Sequence, residues 1–155
     1  MVRTLALSCD LQAHPEKLRE AILKPALFLH VAAPLVKFVP VGLARFPDIW
    51  SEGEYRGSMR LFGLIPIGWQ AIVIEIPRED SKPLVLRDRG YGPLLKVWDH
   101  QIEVTPTAAG SRYTDRLTID AGWLTPLTAF FVKRFFEHRQ RRLKALDRRG
   151  IRTLR

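Results

Sequence analysis

Apolar and polar positions alternate from the start of the chain. Leu5, Leu7, Cys9 and Leu11 share one face of residues 4–11, a pattern that predicts an opening strand. The period then changes. His14-Pro15-Glu16 opens a short helix running to about Leu23, which Pro25 ends. Residues 25–47 are apolar and punctuated by Pro25, Pro34, Pro40 and Pro47, and read as a second short helix followed by a hydrophobic loop. From there to Ala121 a period of two returns five times. Residues 50–62 bring Tyr55, Met59 and Leu61 to one face, and residues 67–77 bring Ile72, Ile74 and Ile76 together. Residues 83–89 align Leu84, Leu86 and Asp88, and residues 95–105 align Trp98, His100, Ile102 and Val104. Residues 111–121 align Tyr113, Asp115, Leu117 and Ile119. Gly63, Pro66, Asp80, Gly90, Gly92, Pro93 and Gly110 fall between these runs, as tight turns require.

The last pattern is helical. Thr125 reads as a capping hydroxyl with Pro126 at the first helical position, and Gly150 as the stop. Leu127, Phe131, Phe135, His138 and Arg142 recur at spacings of three and four, which predicts one inward face. Such a helix spans about 37 Å, against about 27–33 Å for strands of this length, so its final turns should overhang the sheet. Strand, two short helices, five strands and a long helix define an α+β chain. Five strands in succession pair most simply as an antiparallel meander, with the first strand added at an edge. No repeat or linker interrupts the chain, so residues 1–150 are expected to form a single domain and residues 151–155 a basic tail.

Charge changes this picture at the C-terminal end. The net charge is +9, yet residues 1–132 hold 15 Lys/Arg against 14 Asp/Glu, whereas residues 133–155 hold 10 against 2. A basic appendage on a neutral body suits a solvated helix face first and an anionic membrane surface second, the latter through Arg139, Arg141, Arg142, Lys144, Arg148 and Arg149. No nucleic-acid-binding motif accompanies it, so nucleic acid is not the expected partner. The single cysteine, Cys9, forms no internal disulfide and fits a reducing compartment. With no leader pattern and no apolar run of bilayer length, the expectation is a soluble, cytoplasmic protein. The four histidines are scattered at 14, 30, 100 and 138, without metal-ligand spacing, and no phosphate-binding glycine loop is present; neither a metal nor a cofactor is expected.

The order of elements, together with the stretches GWQAIVIEI, LVLRDRGYGPLLKVWDHQIEV and GSRYTDRLTID, resembles the helix-grip fold of the Bet v 1-like, START-related superfamily, in particular its polyketide cyclase-like (SRPBCC) bacterial branch. Trp69, Asp88, Gly92, Pro93, Trp98, His100, Thr114 and Asp115 carry the likeness. It implies a curved antiparallel sheet of about six strands wrapped around the C-terminal helix, with two short helices after the first strand. It further implies a cavity between sheet and helix for a hydrophobic or amphipathic small molecule. The expected ligand contacts are Tyr55, Trp69, Trp98, His100, Tyr113, Asp115, Phe131, Phe135 and His138.

Three polar residues, Asp88, His100 and Asp115, occupy otherwise apolar strand faces. Buried polar groups must find partners, so these form either a polar ladder between strands or a catalytic pair. In the catalytic case His100, oriented by Asp88 or Asp115, acts as a base in a cyclase- or dehydratase-type enzyme without metal. Three functions therefore stand at this point: a carrier or sensor, such an enzyme, and a membrane-surface or partner-binding adaptor working through the basic helix. One further segment stands out: Phe62-Gly63-Leu64-Ile65-Pro66-Ile67 is too apolar for an ordinary exposed turn.

Overall fold

The computed structural model describes residues 1–154; Arg155, the last residue of the expected basic tail, lies outside the described residues. Strand β1 (Arg3–Leu11) leads into helices α1 (Pro15–Ile22) and α2 (Pro25–Ala32). Six strands follow: β2 (Val36–Pro40), β3 (Gly53–Leu61), β4 (Ile65–Glu75), β5 (Leu84–Gly90), β6 (Val97–Thr107) and β7 (Gly110–Asp120). The chain ends on α3 (Thr125–Arg149) and a short turn over Ile151–Thr153. The strands form one antiparallel sheet in the order β1-β7-β6-β5-β4-β3-β2. The meander and the edge placement of β1 follow the hydrophobic pattern. The seventh strand, β2, falls in the proline-punctuated segment read as a loop; Val36 to Pro40 pair with Leu61 to Gly57. Proline is tolerated there because β2 is the other edge of the sheet.

Helix α3 differs from expectation at its start and in its phase. Thr125 is already helical, and its hydroxyl accepts from the Ala121 amide and donates to the Gly122 carbonyl, so it braces the preceding turn instead of capping the helix. The buried face is Val132, Phe136, Arg139, Gln140, Leu143 and Leu146. Leu127 and Phe131, from the expected inward stripe, are exposed. The true stripe is offset by one residue, a rotation of about 100°. Gly150, at φ +95°, ends the helix as anticipated.

The sheet is loosest between β4 and β5. Ladder pairing there joins Ile74 to Asp88 and Glu75 to Arg87, with a separate bridge between Ala71 and Tyr91. In the gap the Val73 amide donates to the Asp88 carboxylate (2.8 Å), so a side chain stands in for a backbone carbonyl. Close approach requires glycine at position 90, where a Cβ would collide with the Ala71 carbonyl oxygen. A bulge sits in the neighbouring ladder, where Met59 faces Gly68 but Arg60 faces Pro66; Gly68, at φ +102°, takes the left-handed turn it needs.

Two apolar clusters fill the space between sheet and helices. One gathers α1, α2, the late turns of α3 and Ile151 over Ile72, Ile102 and Val104. The other packs Val132 and Phe136 on Leu95, Leu117 and Ile119. On each of three elements a polar residue falls between the two: His100 on β6, Asp115 on β7, and Arg139 with Gln140 on α3.

Candidate functional site

The centre of this polar layer is Asp115, 1% exposed. Its Oδ1 accepts from His100 Nε2 (2.7 Å) and from the Tyr113 hydroxyl (2.9 Å), and its Oδ2 accepts from the Gln140 amide (2.9 Å). Gln140 also donates to the Leu7 carbonyl, which ties α3 to β1 through the same group. Burial opposes the charge on Asp115, but the His100 hydrogen bond, the positive charge of Arg139 and the Gln140 amide outweigh it, and its carboxyl lies below the usual carboxylate range. Burial holds His100 below its ordinary value despite that partner, so the ring is neutral near pH 7. Because an ionised carboxylate only accepts, the ring proton sits on Nε2 and Nδ1 is left as the acceptor. Burial likewise drives Tyr113 well above the ordinary phenol value, so it remains a donor.

Asp88 stands apart from this cluster. Although it faces His100 across the β5–β6 ladder, it bonds to the Val73 amide and the Trp98 side chain. Burial raises its carboxyl to about 7; those two hydrogen bonds and the charge of Arg139 pull the other way. Its position is explained by the β4–β5 gap it closes. Of the two carboxylates considered as partners for His100, the structure joins Asp115 to it.

The polar layer forms part of the wall of a cavity of about 560 Å³ enclosed by the sheet, α2 and α3. Apolar groups such as Leu27, Phe28, Ile72, Ile74 and Leu86 make up most of the lining. Phe62, Leu94 and Phe131 line it too and are exposed, Phe131 at 61%, which places the mouth between the β3–β4 turn, the β5–β6 loop and the first half of α3. The apolar turn singled out from the sequence is at this mouth, with Phe62, Leu64 and Ile65 in the open.

Of the expected contacts, Trp98, His100, Tyr113, Asp115, Phe131 and Phe135 line the cavity. Three others are placed elsewhere. Tyr55 packs on Trp50, its hydroxyl 2.8 Å from Ser51 Oγ, beyond the end of the cavity. Trp69 is on the outer face of the sheet under the Arg56 guanidinium (4.3 Å), because strand alternation that turns Gln70, Ile72 and Ile74 inward turns it outward. His138 donates through Nε2 to the Ala33 carbonyl (2.9 Å), at the end of α2. The expected basic surface is also divided. Arg141, Lys144, Arg148 and Arg149 are exposed, Arg142 donates to the His30 carbonyl, and Arg139 is buried in the cavity wall. Cys9 packs under β1's inner face, and burial raises its thiol to about 12, which makes it inert as a nucleophile. Sequence reasoning missed Arg139 and Gln70. Arg139 is signalled by the 132-136-139-143-146 spacing of the buried stripe, and Gln70 by its parity with Ile72 and Ile74.

A seven-stranded antiparallel sheet gripping a long C-terminal helix, with two short helices after the first strand, is the helix-grip fold of the Bet v 1-like and START-like proteins. Solved structures bear this out at fold level. Ara h 8.0201 superposes with a TM-score of 0.65 at 12% identity, over 97% of this chain and 100% of its own. A START superfamily protein from Mycobacterium smegmatis gives 0.65 at 13% identity, over 96% and 97%. The Zhui aromatase/cyclase from a Streptomyces species gives 0.66 at 10% identity, over 99% and 98%. Within that class, the chain belongs to the family described as a domain of unknown function, DUF8410, which it matches over residues 11–146. No curated protein matches it in sequence. No helix among the described residues is long and apolar enough to cross a membrane.

Proposed function

We propose that the protein holds a small hydrophobic or amphipathic molecule between its sheet and α3, as a carrier or sensor. One observation carries this reading: a cavity of about 560 Å³, apolar over most of its wall, with a few polar groups among its lining. The volume falls within the range of roughly 300–1,000 Å³ usual for small-molecule sites, and the mix of many apolar and few polar groups is what such sites use. An unfilled space of this size is costly in a packed interior, so a resident molecule also stabilises the fold. Native mass spectrometry of freshly purified protein should show a discrete mass above that of the chain, with the molecule recoverable in organic solvent. The stripped protein should then enhance the fluorescence of Nile red, a neutral apolar dye. A bare chain mass together with no Nile red response counts against the reading.

The His100–Asp115 pair in the cavity wall favours a second reading, an enzyme of the cyclase or dehydratase type. Asp115 fixes the ring through Nε2, leaving Nδ1 to take a proton from a bound ketone. His100→Ala separates the two: a carrier keeps Nile red binding with modestly reduced stability. An enzyme keeps binding but loses the conversion of whatever molecule the extraction identifies.

A further inference from the structure

Arg139 is a buried cation that makes no salt bridge among the described residues, although it shares the field of ionised Asp115. It is 6% exposed, lines the cavity, and lies over the ring of Phe136 at 4.6 Å. Its Nε has no hydrogen-bond partner. Asp115 gives it neither a hydrogen bond nor a salt bridge; the Asp115 oxygens accept from His100, Tyr113 and Gln140. Asp88 accepts from the Val73 amide and gives Arg139 no hydrogen bond. A guanidinium offers five donors in a planar fork, and burying one with its donors idle is among the costlier arrangements a fold can hold. The same wall contains a second idle donor, the buried amide nitrogen of Gln70, itself 5% exposed. Arg139 borders the cavity as a buried guanidinium with no acceptor of its own among the described residues, and an acceptor that arrives with a ligand complements it.

We infer that the occupant is an amphipath with an apolar body and a single carboxylate head, seated on the Arg139 guanidinium in the wall of the cavity. This rests on the cavity being a ligand site, as proposed above. A carboxylate matches the guanidinium fork with two parallel hydrogen bonds, and the stacked Phe136 ring keeps the fork in place. Charge counting selects a monoanion. The groups facing Arg139 are Asp115, Asp88, His100 and Tyr113, of which Asp115 is ionised and His100 and Tyr113 are neutral. A doubly charged phosphate ester would set two charges against Arg139 beside the ionised Asp115, while the other lining cation, Arg134, is exposed and paired with Glu137. A neutral lipid would leave the guanidinium as it stands, unpaired.

The test is displacement of Nile red from the stripped protein by two acids, dodecanoic acid and naphthylacetic acid, each against its own methyl ester. The pairs differ in charge but hardly in shape. The inferred site predicts that at least one acid displaces the dye about tenfold or more tightly than its ester, and that Arg139→Met lowers the acid to the level of the ester while leaving the ester unchanged. Arg139→Gln, which retains polarity and bulk, should do the same if Arg139→Met fails to fold. Acid and ester of equal affinity in the native protein, or acids that displace nothing from a protein that binds the dye, would overturn the carboxylate and leave the cavity reading standing. An acid preference that survives in a folded Arg139 variant would overturn the role of Arg139. Failure of Nile red itself to bind would remove both.

Discussion

Asp115→Ala should destabilise the protein by about 3–5 kcal/mol, the range seen when one partner of a buried charged network is removed. The loss has three named components. His100 Nε2–H, the Tyr113 hydroxyl and the Gln140 amide all point at the position the carboxylate vacates, and all lose the acceptor they share at a site only 1% exposed. Arg139 would also lose the ionised carboxylate whose field it shares. For a domain whose total stability is about 5–15 kcal/mol, such a loss is a large fraction of the whole. Urea unfolding followed by circular dichroism measures it directly, as a lower midpoint at unchanged slope. A loss below about 1 kcal/mol would mean that the three donors find other acceptors and that the cluster does not hold the sheet to α3.

Asp88→Asn should have the opposite effect, one that grows from about pH 4 and is complete above about pH 7. The folded protein holds the Asp88 carboxyl at about 7, above its ordinary 3.8, because burial disfavours the charge. Below about pH 4 the group is protonated in both folded and unfolded chains and contributes nothing. Between there and about 7 the unfolded chain has lost the proton while the folded one retains it, so stability falls by about 1.4 kcal/mol per pH unit. The fall levels off above about 7, at a cumulative cost on the order of 4 kcal/mol. Asparagine keeps an oxygen for the Val73 amide and has no charge to bury. The variant should therefore match the native protein near pH 4 and exceed it at pH 8 by up to about 4 kcal/mol. The neutral state of His100 and the low value of Asp115 impose their own pH dependence, but on both proteins alike, so the difference between them isolates Asp88. A pH-independent difference, or a variant weaker at pH 8, would contradict a buried, proton-retaining Asp88.

The strand faces were legible because alternation is local. Asp88, His100 and Asp115 each break an otherwise apolar period-two run, and each is buried where the run placed it. The same rule, carried one residue further along β4, turns Trp69 outward; its resemblance to a family position had drawn it to the ligand. The phase of α3 was harder. Two stripes fit its first half, and counting Arg139 as a surface charge selected the one that the structure leaves exposed at Phe131. The spacing admits Arg139 to a buried stripe but does not by itself select that stripe, because what makes the burial tolerable is a cavity assembled from β4 through β7. Strand β2 was hidden for a related reason. Its prolines read as breakers, and only an edge position, which is a property of the whole sheet, accommodates them.

The two bonds from α3 to the end of α2 bear on how a molecule reaches the interior. His138 takes the Ala33 carbonyl and Arg142 the His30 carbonyl, acceptors that a helix C-terminus otherwise leaves open. Together they latch α2 to the long helix about one turn apart, so the wall that α2 forms moves with α3 or not at all. The mouth is framed elsewhere, by Phe62 on the β3–β4 turn and Leu94 on the β5–β6 loop. A molecule held as proposed above would meet, on the α2 side, a wall fixed by these bonds.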